Sequence, residues 1–452
     1  MFKVKFLPSE ITAAAKPRWT ILQTALEAGI MIDAPCGGRG QCRKCTVTLR
    51  DSAGARQLLA CQTEVTEDCV VVLSHEAVGH RILLGGISRD VTLDPPLDGD
   101  LTGKLAMAYD IGTTTVASYL IDLKSGEELA TASILNPQTK YGGDVIMRIN
   151  YALENGAEAL TSDIREALAA LASECCVKAK RLTADVALIT VVGNTTMHHL
   201  FMGLTVETLA FAPYHAKLTE PQTLAAREFG FREVCPNAEL LILPNIAGFV
   251  GADTVGASLA SSIDSADELT LLVDIGTNGE MVLGDKNRLV ACSTAAGPAF
   301  EGALISCGMR GAEGAIDHVE LSGEPGAITV KYSVIGGGEA LGVCGSGLID
   351  LVSELVRVGL VDDTGRLDGN AFHLTDTVSI TAKDVRELQL AKGAMAAGFE
   401  MMRNRLGVSV ADVKRVMIAG AFGSFMRPSS ACGIGLIPAE LLDRVEAIGN
   451  AA

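Results

Sequence analysis

The tetrapeptide Asp-Ile-Gly-Thr occurs twice, in MAYDIGTTTVASYLID (residues 107–122) and in LLVDIGTNGEMVLGD (residues 271–285). In both places an apolar run ends in the tetrapeptide, polar residues follow, and a second apolar run begins. The two aspartates, Asp110 and Asp274, stand 164 positions apart. That interval is too long for a solenoid period and fits two duplicated domains. Each copy reads as strand–turn–strand, with Gly112 and Gly276 permitting the tight turn. From about residue 105 onward, short β-rich runs alternate with Ala-rich helical stretches, the pattern of an α/β domain. The boundary between the copies falls near the Ser/Asp-rich SSIDSADE, residues 261–268.

The turns carry chemistry as well as shape. Thr113, Thr114 and Thr115 in the first, and Thr277, Asn278 and Gly279 in the second, offer hydroxyl, amide and backbone donors to phosphate oxygens. An aspartate at a strand end can hold Mg²⁺ through water or orient an attacking water. One such turn is equally well a plain hairpin; two in equivalent places suggest a polyphosphate pinched between them. Glu280 follows the second turn and reads equally as part of the Mg²⁺ shell or as structural. Three further segments fit. VVGNTTMHHLF (191–201) is a strand, a turn with Gly193, Asn194 and Thr195, then a helix. VCGSGLIDLVSEL (343–355) opens a helix after a loop with Gly345 and Ser346. RVMIAGAFGSFM (415–426) is an apolar strand ending in a turn with Gly420 and Gly423. Helix N-termini and glycine turns are natural anion and ribose sites.

A second chemistry lies near the N-terminus. Cys36, Cys42 and Cys45 form a C-x5-C-x2-C run in APCGGRGQCRKC, and Cys61 follows in LLACQTE. Three cysteines within ten residues of a Gly-rich loop are a strong metal signal. Gly37, Gly38 and Gly40 let the backbone wrap a cluster and aim N–H groups at its sulfurs. The spacing resembles the plant-type [2Fe–2S] pattern with one residue added in the first gap, the adrenodoxin-like form of the ferredoxins. A four-cysteine zinc site is the alternative, but such sites usually show two C-x2-C knuckles. A helix over residues 20–28 precedes the loop and stops at Gly29. Cys69 reads as a strand residue. Cys175, Cys176, Cys235, Cys292, Cys307, Cys344 and Cys432 lack cluster spacing and read as small core residues.

Composition sets the outer limits. The chain has 452 residues, 48% apolar and 20% charged, so it is globular and, at about 150 residues per domain, holds roughly three domains. A net charge of −17 disfavours nucleic acid and anionic membranes as partners. The N-terminus has no stretch of signal-peptide character. The most apolar long segment, residues 240–263, is broken by Pro244, Asp253 and several glycines, and does not read as membrane-spanning. Twelve cysteines without a signal point to a reducing cytoplasm. Domain boundaries are expected at 1–77 for the cluster domain, 78–104 for a linker containing LDPPLDGD, 105–265 for the first duplicated half and 266–452 for the second.

The order of motifs from about residue 105 to 450 resembles the ASKHA superfamily of acetate and sugar kinases, Hsp70 and actin. Phosphate-1 matches residues 110–115, connect-1 residues 193–195, phosphate-2 residues 274–280 and, more loosely, adenosine residues 419–423. The whole chain resembles a narrower family, the reductive activators of corrinoid proteins, through LNPQTKYGGDVIMRI (135–149), DIGTNGE, AAGPAFEGA (295–303), VCGSGLID and IAGAFGSF. The resemblance implies an α+β ferredoxin-like (β-grasp) domain followed by an α/β ASKHA domain of duplicated RNase H-like halves. It implies ATP-driven reduction of Co(II) corrinoid to Co(I), with an electron relayed through a [2Fe–2S] cluster held by Cys36, Cys42, Cys45 and Cys61. Asp110, Asp274 and Glu280 are then the catalytic residues, with Mg²⁺ and ATP as cofactors. The implied partners are a corrinoid protein of a methyltransferase system and an upstream electron donor, with a homodimer left open. A small-molecule kinase or a nucleotide-binding redox sensor with a fused ferredoxin module are the alternatives. The short gap before the ATPase implies a reduced or absent middle domain, and the end at AIGNAA an abbreviated C-terminus.

Other residues have plainer readings. In TTMHHLF, one of His198 and His199 is expected packed and the other solvated, since helix neighbours face different ways. Asp317 and His318 read as strand-end or turn residues, Met401 and Met402 as core fillers. Arg39, Arg43 and Lys44 offset charge near the cluster loop or guide an acidic redox partner.

Overall fold

The computed structural model describes residues 1–28, 30, 32, 34, 38, 40, 45–73, 93–94, 97, 99–276, 278–297, 299–302, 304–324, 326–420 and 425–451. Met1–His80 with Gln138–Tyr151 form one compact unit, and Arg81–Pro137 with Ala152–Ala452 form another.

In the first unit, β1 (Phe2–Leu7), β2 (Thr12–Ala15), β3 (Thr46–Asp51), β4 (Gly54–Leu59) and β5 (Cys69–Leu73) make one sheet in the order β2-β1-β5-β3-β4. β1 and β5 run parallel, while the remaining neighbours are antiparallel. Val4 and Phe6 alternate inward along β1, as a half-buried strand requires. They meet Ile21, Leu22 and Ala25 from helix α1 (Ile21–Glu27) in a core that also holds Cys45 and Cys61. Thr20 starts that helix with a full capping box: its side chain accepts from the Gln23 N–H, and the Gln23 side chain accepts from the Thr20 N–H. The expected stop at Gly29 lies outside the described residues. Within Gln138–Tyr151, at the start of α2 (Val145–Asn155), Arg148 is fully buried and donates from Nε to the Gly142 carbonyl at 2.9 Å.

The second unit repeats one plan twice. Its first half contains β6 (Leu105–Ile111), β7 (Thr115–Asp122), β8 (Glu128–Leu135), α3 (Glu158–Lys178), β9 (Val186–Gly193), α4 (Thr195–Met202), α5 (Glu207–Ala210), β10 (Gln222–Ala225), β11 (Glu239–Ile242) and α6 (Ala252–Ala260). The second half contains β12 (Thr270–Ile275), β13 (Gly279–Asp285), β14 (Arg288–Thr294), β15 (Ala315–Ser322), β16 (Thr329–Val334), β17 (Gly342–Val343), α7 (Gly345–Arg357), β18 (Ala371–His373), β19 (Ser379–Thr381), α8 (Ala382–Leu406), β20 (Arg415–Ala419), α9 (Pro428–Gly433) and β21 (Val445–Gly449). One sheet runs β10-β11-β9-β6-β7-β8, the other β14-β13-β12-β20-β21. In each, an antiparallel three-stranded meander opens the half, and a later strand adds parallel to its first: β9 beside β6, β20 beside β12. The duplication read from the two tetrapeptides is therefore a duplicated sheet.

Several side chains depart from their expected places. Asp317 and His318 sit inside β15, beside a register irregularity, and are held there by polar partners: Ser333 Oγ donates to Asp317, and His318 Nδ1 pairs with Asp350. Met402 is buried, but Met401 is 72% exposed, because neighbours on α8 face opposite ways. Both His198 and His199 are buried, since α4 is enclosed all round and has no solvated face to offer. Cys175, Cys176, Cys344 and Cys432 are buried as expected, whereas Cys235, Cys292 and Cys307 are only half-buried.

Candidate functional site

The sheet register gathers four strand ends of the second unit. Asp110 lies opposite Val192, one residue before Gly193 where β9 ends. Asp274 lies opposite Ala419, the last residue of β20. Gly420 follows, and a Cβ there would lie 2.7 Å from Asp274 Oδ1 and 2.8 Å from the Ile275 carbonyl, so only glycine lets the two strand ends close up. Asp274 also faces Glu280 directly across the β12–β13 hairpin, whereas Asp110 faces Ala117. The second turn therefore has one more carboxylate than the first.

A further carboxylate, Asp253, joins these three. It stands in the first turn of α6, where its Oδ1 accepts from the Thr254 N–H at 2.7 Å. The helix start is pressed onto the connect-1 turn: a Cβ on Gly251 would meet Asn194 Cα, the Gly193 carbonyl and Thr195 N, each at 2.6 Å. Burial pushes Asp110 up to about 7, helped by the charges of Asp253 and Asp274 and opposed by a hydrogen bond from Asn450. Asp274 is pushed up to about 7 by burial and then by Asp253. Burial takes Asp253 up to about 6 against the pull of its hydrogen bonds from Thr254. Glu280 lies well above the usual carboxylate range, through burial and then the charges of Asp253 and Asp274, although Ser293 donates to it at 3.0 Å. Among the described residues, the charges acting on Asp110, Asp274 and Glu280 are those of other carboxylates. Such a cluster calls for a cation. Among the described residues no three carboxyl, imidazole or thiol groups converge tightly enough to ligate a metal directly. A Mg²⁺ there would be held largely through water and phosphate.

The turns around the carboxylates are tied to one another. Asn194 caps α4 by accepting from the Met197 N–H, and its amide donates to Thr113 Oγ1 at 3.0 Å. Thr195 Oγ1 donates to the Ala247 carbonyl at 2.7 Å. The fully buried Asn136 donates to the Gly112 carbonyl at 2.8 Å, and its own N–H reaches the Thr114 carbonyl. Thr114 Oγ1 lies 3.5 Å from Glu301 of the AAGPAFEGA segment. Thr115 begins β7, Asn278 precedes β13, and the Asn278 carbonyl accepts from Gly276 N–H at 2.9 Å. Gly345 and Ser346, expected in a loop, form the buried first turn of α7; Cys344 in the N-cap position supplies no side-chain cap. Thr277 and Gly423 lie outside the described residues.

In the first unit, Cys45 and Cys61 are buried with their sulfurs 3.2 Å apart. Metal–thiolate bonds of about 2.3 Å let one metal reach both. Cys61 and the eight described cysteines outside the cluster run, Cys69, Cys175, Cys176, Cys235, Cys292, Cys307, Cys344 and Cys432, are free thiols. The Gln62 amide donates to the Gly38 carbonyl at 2.6 Å and lies 3.7 Å from Cys61 Sγ. Gly38 takes φ +82°, a conformation that favours glycine, and a Cβ there would lie 3.8 Å from Cys61 Cβ. This soft, buried thiol set fits an iron–sulfur cluster. Because a hydrogen bond to a ligand sulfur stabilises the reduced, more negative cluster, Gln62→Ala should shift the midpoint potential to more negative values in an anaerobic redox titration. Cys36, Cys42, Arg39, Arg43 and Lys44 lie outside the described residues.

Sequence reading missed Asp253, Asn136, Asn450 and Gly251. Asn450 follows β21 and its amide reaches Tyr119 Oη at 3.1 Å as well as Asp110. Asn136 lay within the quoted LNPQTKYGGDVIMRI stretch without being singled out, and Asp253, the lone acid in GFVGADTVGA, served merely to exclude a membrane span. Among the described residues no helix is long and apolar enough to cross a membrane.

Comparison with known proteins covers nearly the whole chain. The family model of the [2Fe–2S] iron–sulfur cluster binding domain matches residues 4–66. The model described as the RACo middle region matches residues 105–266, and that of the C-terminal ASKHA domain of RACo matches residues 268–452. The match described as the middle region thus coincides with the first duplicated half, expected at residues 105–265. The corrinoid activation enzyme RamQ of Eubacterium limosum is 32% identical, over 94% of this chain and 87% of its own length. The reductase of the Co(II) methylated-amine-specific corrinoid protein of Methanosarcina barkeri is 27% identical, over 74% of this chain and 65% of its own. A solved structure of a reductive activator for a corrinoid iron–sulfur protein superposes with a TM-score of 0.68 at 30% identity, covering 100% of this chain and 91% of that one.

Proposed function

This chain belongs to the family of reductive activators of corrinoid proteins, and from that premise we propose that it returns a Co(II) corrinoid protein to Co(I) at the expense of ATP. One electron is delivered to cobalt, and ATP and water give ADP and phosphate. The observation that carries the reading is the convergence of Asp110, Asp253, Asp274 and Glu280 between two phosphate-type turns, in a chain that also buries the Cys45–Cys61 pair. Cys36, Cys42, Cys45 and Cys61 would hold a [2Fe–2S] cluster, which when bound supplies one-electron transfer.

Thr113, Thr114, Thr115 and Asn278 would donate to phosphate oxygens, with Gly112, Gly193, Gly276 and Gly279 shaping the turns. Asp110 and Asp274 would bind the hydrated Mg²⁺ of Mg-ATP. Asp253, set at a helix start beside them, would orient the attacking water and take its proton. Gly345, Ser346 and Gly420 would line the nucleoside end. An upstream electron donor and a reducing cytoplasmic setting fit the free thiols. The test is anaerobic ATP hydrolysis by the cluster-loaded protein with a Co(II) corrinoid protein, following the corrinoid spectrum. ATP-dependent appearance of Co(I) is expected; equal cobalt reduction without ATP would sink the coupling, and phosphate transfer to a metabolite would indicate a kinase.

The raised carboxyls also set a pH dependence. In the folded chain without nucleotide, Asp110, Asp253 and Asp274 keep protons that the unfolded chain releases near pH 4. Their contribution to stability is complete below that value and is lost as pH rises through about 6 to 7. The melting temperature of the nucleotide-free protein should therefore fall between pH 5.5 and 8 on this account, and Mg-ATP should reduce the fall. A pH-independent gap between free and Mg-nucleotide-bound melting temperatures would contradict it.

A further inference from the structure

Asn136 is a buried polar side chain to which the proposed chemistry gives no task. It follows β8 and stands second in the LNPQTKYGGDVIMRI stretch. It is 0% exposed. Its amide Nδ2 donates to the Gly112 carbonyl at 2.8 Å, and its backbone N–H donates to the Thr114 carbonyl, also at 2.8 Å. One residue thus holds the first phosphate-type turn on both sides of Thr113. Peptide units are planar and trans, so the carbonyl and the N–H of one unit point opposite ways. With the Gly112 and Thr114 carbonyls turned toward Asn136, the N–H groups of Thr113 and Thr115 point away from it. The Thr113 hydroxyl is held separately, accepting from the Asn194 amide at 3.0 Å.

A hairpin of this kind does not need such a clamp, as the duplicated half makes plain. Thr115 pairs with Leu135 on β8, and Gly279 pairs with Thr294 on β14, so Ala295 is the counterpart of Asn136. Ala295 has no side-chain donor. The second turn is closed within itself instead, by the Gly276 N–H on the Asn278 carbonyl at 2.9 Å, and Thr294 Oγ1 donates to the Gly279 carbonyl at 3.0 Å. Two sheets of one plan therefore differ here: an amide is bonded to the backbone of the first turn and none at the matching position of the second. A buried amide costs free energy unless it is bonded. Since the strand–turn–strand unit forms without one at Ala295, the shape of the first turn is left as the reason for it.

We propose that Asn136 is a positioning residue: by drawing the Gly112 and Thr114 carbonyls to itself, it presents the Thr113 and Thr115 N–H groups to a phosphate of the nucleotide. This rests on the nucleotide reading above. Inhibition of anaerobic ATP hydrolysis by pyrophosphate and by adenosine, with the full cluster-loaded chain, separates phosphate from nucleoside binding. Asn136→Leu keeps a branched side chain of similar size but has no donor. It should weaken inhibition by pyrophosphate about tenfold and by adenosine no more than about twofold. Asn136→Ala loses the same donor without adding bulk, should behave alike, and carries the test if Asn136→Leu fails to fold. Met197→Leu removes only the sulfur that lies 3.6 Å from the Asn136 amide, and should leave both inhibitors within about twofold of the natural chain. Equal weakening of pyrophosphate and adenosine, or a Met197→Leu loss like that of Asn136→Leu, would reduce Asn136 to packing and overturn the assignment. Unchanged pyrophosphate inhibition in a folded Asn136 variant would overturn it alone. A natural chain that hydrolyses no ATP, or that pyrophosphate does not inhibit, would overturn it together with the nucleotide reading.

Discussion

Replacing Asp253 by Asn is expected to lower ATP turnover by about a hundredfold or more while nucleotide still binds, because a positioned base contributes about 10²–10⁴-fold. The substitution keeps the shape and the acceptor for the Thr254 N–H, so the start of α6 has no reason to move. It removes a charge that raises Asp110, Asp274 and Glu280. Those three should then ionise at lower pH, and the pH needed for Mg-nucleotide binding should fall with them. Relief of repulsion should also raise the melting temperature of the nucleotide-free protein at pH 8. Lower turnover with higher stability is the signature of a charge kept for chemistry. Turnover near that of the natural chain, measured as phosphate release, would remove Asp253 from the reaction.

How far such a residue could be read in advance depends on where its partners lie. The two Asp-Ile-Gly-Thr hairpins and the C-x5-C-x2-C run are local, so spacing alone displayed them, and the duplication followed. Asp253 has no such neighbour. Its partners come from β6, β12 and β13, and only parallel pairing of β9 with β6 and of β20 with β12 brings the strand ends together. Gly251 matters for the same reason, through an approach to Asn194 that no local pattern encodes. The histidines failed differently. Facing rules separate residues on a helix with one wet side, but α4 is buried from Thr195 to Phe201. Asp317 and His318 looked like strand ends because strands disfavour such residues; Ser333 and Asp350 keep them inside β15.

Replacing Cys61 by Ser is expected to abolish ATP-dependent Co(I) formation while ATP turnover persists. The Cys61 sulfur is one of a buried pair 3.2 Å apart, and an alkoxide is a harder, far less available ligand than a thiolate at neutral pH. Visible absorption and iron content of the purified variant should drop together. The carboxylates proposed for ATP belong to the other compact unit, which has its own sheets and its own core around Leu271, Val273 and Ile418. Loss of a thiolate in the first unit gives that core no reason to unfold. Phosphate release without a change in the cobalt spectrum would place the electron and the phosphate in separable machinery, coupled only in the intact chain. Cobalt reduction at the natural rate in the Cys61→Ser protein would mean that the electron reaches cobalt by another route, and the four cysteines would then be structural.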